Sequence, residues 1–116
     1  MNEKAMTDIY LGHGFGKTYI GSVDGGNVYS GHGWGRHFVG TCNNGDVYSG
    51  HGLFRTYVGS YGNGDVYRGY GFSRECIGSY DGLDIYLGYG FFKRHLGESD
   101  GPDFDAAAAA LLLLIL

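Results

Sequence analysis

Residues 46–64 read DVYSGHGLFRTYVGSYGNG, and the chain consists largely of five gapless copies of this unit. The copies are 19 residues each and span 8–26, 27–45, 46–64, 65–83 and 84–102. A period of this length is the sequence mark of a repeat architecture. Position 3 of the unit is always Tyr: Tyr10, Tyr29, Tyr48, Tyr67 and Tyr86. Positions 5, 7 and 14 are always Gly and hold 15 of the 24 glycines. Position 2 is Ile or Val, position 13 is Ile, Val or Leu, and position 10 is Lys or Arg.

Each unit reads as a hairpin, with strands near positions 1–6 and 10–15. β-Branched and aromatic residues fill both, as strands favour. Gly25-Gly26, Asn44-Gly45, Asn63-Gly64 and Asp81-Gly82 mark the turns between units. A two-residue turn at positions 8–9 would pair position 3 with 14 and position 5 with 12. Tyr would then lie over Gly, and positions 2 and 13 would form the core face. One such hairpin cannot bury its apolar face, but five in sequence can. No unit has the divergent polar sequence of an end cap, which an open array needs. Closure also removes exposed edges. The expectation is an all-β protein whose five hairpin repeats close into a pseudo-fivefold ring or flower-like barrel.

The pattern D-[IV]-Y-x-G-x-G-x-x-[KR]-x-x-[IV]-G-S-x-x-G, over Asp8 to Pro102, resembles the small bacterial five-repeat β-flower proteins. That resemblance implies hairpins set like petals about an axis and transfers no catalytic residue. GDVYSG at 45–50 has a weaker similarity to MORN repeats, whose unit is longer.

Composition bounds the function. Gly at this density excludes a mostly helical chain, since each interior helical Gly costs about 1 kcal/mol against Ala. One Pro and no G-X-Y period exclude collagen. Aromatic residues at 16% supply enough burial for folding. Eight Lys and Arg against twelve Asp and Glu, a net charge of -4, give no nucleic-acid footprint. Residues 1–7 read as an N-terminal arm without an apolar signal core, so cytoplasmic residence is the default. No G-x-S-x-G, H-E-x-x-H or P-loop is present, so the reading is non-catalytic. Cys42 and Cys76 hold different repeat positions and read as small buried hydrophobes.

Residues 103–116 end in five Ala, four Leu, Ile and Leu. This apolar tail reads as a short helix packing on the ring or on copies of itself. Its uniformity also fits placeholder residues, and a membrane-associating tail is a third reading. Eleven residues span about 16 Å as a helix, too little to cross a bilayer core of about 30 Å. Membrane partnership is therefore not expected.

Three columns could carry binding. Phe15, Trp34, Phe72 and Phe91 at position 8, with Leu53 as the exception, lie at a turn. Exposed there, they suit sugar faces, and repetition would add multivalency. Lys17, Arg36, Arg55, Arg74 and Lys93 at position 10 could pair with the Asp residues of position 1 or meet an anionic ligand. His13, His32 and His51 at position 6 would offer three imidazoles to a divalent metal if the ring brought them together. Otherwise no cofactor is expected. The leading expectation is a repeat-built binding or interaction scaffold for a protein or glycan partner, which could also form a homo-oligomer. A lectin-like glycan binder and a metal site at the His column are the alternatives.

Overall fold

Ten antiparallel strands close into a barrel in the computed structural model, which describes residues 6–31 and 33–116. The strands are β1 (Met6–Leu11), β2 (Thr18–Asp24), β3 (Asn27–Ser30), β4 (His37–Asn43), β5 (Asp46–Ser49), β6 (Thr56–Gly62), β7 (Asp65–Arg68), β8 (Glu75–Asp81), β9 (Asp84–Leu87) and β10 (Arg94–Asp100). Neighbours in sequence are neighbours in the sheet, and β1 pairs with β10 to seal it. Closure is thus as the repeat predicts. Most of the expected N-terminal arm lies outside the described residues. Its last two residues, Met6 and Thr7, belong to β1 and pair with Asp24 and Val23.

The register differs from the sequence expectation. Position 2 pairs with position 14, as in Val28 with Gly40, and position 3 pairs with 12, as in Tyr29 with Phe38. Position 13 is the unpaired residue of a β-bulge in every unit. The bulge inserts one residue into the second strand and moves every later side chain by one place. Tyr therefore faces an aromatic, Cys or His residue on the outer wall instead of Gly. Position 13 is only half-buried. Position 2 is buried completely: Ile9, Val28, Val47, Val66 and Ile85 each have no exposed surface. Its partner across the next hairpin is position 16, where Val23 faces Val28 and Cys42 faces Val47.

The two ends of the barrel differ. Within each unit the strands join through a short 3-10 turn at positions 7–9, longer than the two-residue turn expected. The first strand stops at position 4 to make room for it. Units join through tight turns at the other end. Asn44 and Asn63 have φ of 56° and 53° and the following Gly45 and Gly64 have 88° and 89°, the backbone of a type I′ turn. In the fourth unit the central pair is Gly82-Leu83, one residue later than expected.

The tail fills the barrel. Helix α1 (Phe104–Ala110) runs inward, and Leu111–Ile115 continues it with wider π-type winding. Ala107 to Leu111 have no exposed surface. A helix that is apolar all round belongs in an interior, and here the interior is that of its own chain. The tail enters beside Thr7, whose hydroxyl accepts the Asp103 N–H at 2.9 Å. It is not long enough to cross a membrane.

Position 14 shows why only Gly serves there. A Cβ at Gly21 would lie 2.5 Å from the Tyr29 carbonyl oxygen and 2.8 Å from Ile115 Cδ1. At Gly78 it would lie 2.5 Å from Leu112 Cδ1 and 2.7 Å from the Tyr86 oxygen. Gly40 and Gly59 are hemmed in likewise by backbone and by Leu114 and Leu113. Gly59→Ala should destabilise the protein by about 1–3 kcal/mol, since overpacking here meets backbone. Gly16→Ala, where a Cβ meets nothing within 4 Å, should stay within about 0.5 kcal/mol of the parent. Urea unfolding of the two variants checks the contrast.

Candidate functional site

The five 3-10 turns lie together at one end of the barrel, because each joins the first and second strand of a unit. Gly begins each turn with φ between +20° and +160°, for example 61° at Gly14 and 68° at Gly90. That left-handed backbone turns the chain outward and lifts position 8 to the tip. Phe15, Trp34, Leu53, Phe72 and Phe91 are each at least 97% exposed. Phe54 and Phe92 follow two of them at 91% and 90%. The crown thus carries seven large apolar side chains with no packing partner among the described residues. Sequence reasoning placed the aromatic column at this turn. It missed Leu53, Phe54 and Phe92 as members of one apolar surface, although their adjacency to the tip was the available signal.

The basic column stands just behind the tips. Each cation lies over the Tyr ring of its own unit. Lys17 Nζ is 4.2 Å from the Tyr10 centroid, and the guanidinium carbons of Arg36, Arg55 and Arg74 are 3.9, 4.0 and 3.9 Å from Tyr29, Tyr48 and Tyr67. Lys93 Nζ is 4.3 Å from Tyr86. Such contacts are worth about 0.5–1 kcal/mol where solvent reaches them. Their main effect is to hold five cations at one height around the rim. Lys17 also pairs with Glu98 of the fifth unit at 3.4 Å.

The acidic column lies at the opposite end, beside the tight turns. By strand register, position 1 pairs with 15 there, while positions 4 and 11 pair next to the crown. Seven of the eight Lys and Arg occupy positions 4–11 of their units, and the eighth is Lys4. Glu75 is the one acidic residue in those positions. The molecule is therefore polarised along its axis, with a cationic crown and an acidic base.

The His column does not converge on one point in the described residues. His13 packs edge-on against His95, with centroids 5.1 Å apart, and His51 against Phe38 at 5.3 Å. Both are exposed on the outer wall, two units apart. His32 lies outside the described residues. The bulged register instead joins His95 to Asp84, Nε2 to Oδ1 at 3.2 Å. Glu98 completes a set whose ligand atoms lie within 4.8 Å of one another. No sequence pattern joins His95 to Asp84, because the bulge between His95 and Gly97 sets that pairing.

A concavity opens at the acidic base. It measures about 550 Å³ and is lined by Cys42, Asn43, Asn44, Tyr61, Asp103 and Asp105, among others. Burial, with a further push from Asp105, raises the Cys42 thiol from about 9 to about 12. Burial likewise raises Tyr61 to about 12, against a weaker opposing hydrogen bond with the Gly45 backbone. A thiol held protonated is a poor nucleophile.

Comparison with protein-family models, curated proteins and solved structures returns no match.

The two raised groups make a pH prediction. Each is neutral when protonated, and the folded state holds its proton more tightly than the unfolded chain. Their contribution is complete below about pH 9 and is lost as pH rises toward about 12. Unfolding free energy should fall across that window, and Cys42→Ala should make the early part of the decline shallower. Denaturant titrations at stepped alkaline pH measure both.

Proposed function

We propose that the protein is a non-catalytic, repeat-built binding module that docks through the crown of 3-10 turns. The observation that carries this reading is the set of seven large apolar side chains held at 90% exposure or more on one end of the barrel. Single exposed hydrophobes are ordinary on a protein surface, whereas a clustered patch of this kind marks an interaction site. Seven such side chains offer contact area on the order of 1,000 Å², the scale of a specific interface. Five equivalent tips also let individually weak contacts act together.

The fold keeps this surface available. The interior is filled by α1 and the π segment, so the crown side chains cannot turn inward to join the core. Gly at position 7 holds the outward turn. The crown is thus an exposed element carried by a barrel whose stability does not depend on it.

Trp34 is the sole Trp and sits on the crown, so it reports docking directly. In the free protein, acrylamide should quench Trp34 nearly as well as free indole. Binding to a cognate surface, screened with immobilised glycans, lipid vesicles and the protein itself at high concentration, should protect it. Changing Phe15, Phe72 and Phe91 to Ser should abolish that protection without lowering the melting temperature. Binding that leaves Trp34 fully quenchable, or no protection by any of the three classes, overturns the reading.

A further inference from the structure

We infer that the surface met by the crown is an anionic lipid bilayer, on which the protein sits without crossing it. This rests on the docking reading above and names its occupant. Four observations lead there. The first is planarity. The molecule measures 40 × 38 × 26 Å. Two nearly equal long dimensions and one short one place the fivefold axis along the short one. Equivalent positions about that axis share a plane, so the five tips meet a flat surface together.

The second observation is the chemistry of the tips. Phe and Leu have no hydrogen-bonding side-chain group. A glycan site needs a ring face to stack on and polar groups beside it. Leu53 supplies no ring, and Gly flanks Phe15 and Trp34 on both sides. Insertion into the headgroup and acyl boundary needs only apolar bulk, which Leu53 supplies as well as Phe does.

Charge is the third. Lys17, Arg36, Arg55, Arg74 and Lys93 stand two residues behind the tips and are held over their Tyr rings. Tips within the interface would bring these cations to the level of lipid phosphates. The acidic residues sit mostly at the far end, away from an anionic surface. This polarity orients the molecule although its net charge is -4. The fourth observation counts against a second copy as the occupant. Two crowns placed face to face would oppose one ring of cations to another, and like charges so placed are destabilising.

The tail does not compete with this arrangement. Its residues 106–112 are buried in the barrel, Leu113 to Ile115 are half-buried, and no helix is long and apolar enough to span. A seat at the interface asks for neither a span nor an anchor.

Vesicle sedimentation with the full chain tests the inference, using phosphatidylcholine vesicles with and without phosphatidylglycerol. The protein should sediment with the anionic vesicles, protect Trp34 from acrylamide and release as salt rises. Each Arg among Arg36, Arg55 and Arg74 changed to Gln should weaken anionic binding about fivefold. Each Phe among Phe15, Phe72 and Phe91 changed to Ser should weaken it about tenfold or more. The Phe side chains are fully exposed, so their variants should keep the parent melting temperature and separate lost binding from lost folding. Each Arg variant loses one contact with a Tyr ring, and its binding is compared at a temperature where it remains folded. Equal binding to both vesicle types without salt dependence overturns the proposal. So does failure to bind either type. If immobilised glycan or self-association then protects Trp34, the lipid assignment falls and the docking crown stands. If nothing protects Trp34, both fall.

Discussion

The structure depends on the close approach between the position 14 glycines and what lies on either side of them. On one side is the carbonyl of a Tyr in the next strand, across the regular pairing that joins one unit to the next. On the inner side are the side chains of the tail. A Cβ would meet both at Gly21 and Gly78. Removing the side chain lets sheet and plug touch directly, and it lets ten strands close on a helix rather than on a cavity. The Gly content of the chain is therefore concentrated where clearance is smallest and where the crown must turn.

The winding of the plug follows the symmetry of the ring. Leu112 meets Gly78, Leu113 meets Gly59, Leu114 meets Gly40 and Ile115 meets Gly21. Successive residues of the helix thus address successive units of the barrel. A fivefold ring advances about 72° per unit, while an α-helix advances about 100° per residue. Widening the ladder to i→i+5 reduces the step toward that of the ring. Leu116 N–H reaches the Leu111 carbonyl at 3.0 Å, which closes such a turn. The π segment is where the helix conforms to four of the glycine-lined seats.

Much of this was legible in the sequence, and the gaps have physical causes. The period, the hairpins, the Asn-Gly turns and the closure follow from local chemistry that every unit repeats. Register does not. One bulged residue at position 13 looks like any apolar strand residue, yet it decides whether Tyr29 meets Gly40 or Phe38. The partner of the basic column was not legible either, since Arg55 lies over Tyr48 instead of reaching Asp46. The tail's uniform Ala and Leu point to a short helix on the ring but carry no local sign that it enters the barrel. Gly at position 14 of every unit leaves the inner wall short of bulk for a ten-strand barrel, and that deficit is the available sign of an internal helix. For the candidate site, position 8 was legible as a turn aromatic. Its full exposure was not, because a bulky ring at a turn can fold inward until the interior is known to be occupied.

Fold and site are linked through that occupancy. A filled barrel has no room for Phe15, Trp34 or Phe92, so the crown remains outside, and the Tyr rings of the outer wall hold the cations behind it. The central claim is that the C-terminal helix is the core of this barrel. Native-state hydrogen exchange read at single residues tests it most directly. The amides of Ala107 to Leu112 should exchange only with global unfolding, at the same free energy as Val28 and Val47. Exchange of those helix amides at the rate of a frayed surface helix, while the strands remain protected, would contradict it.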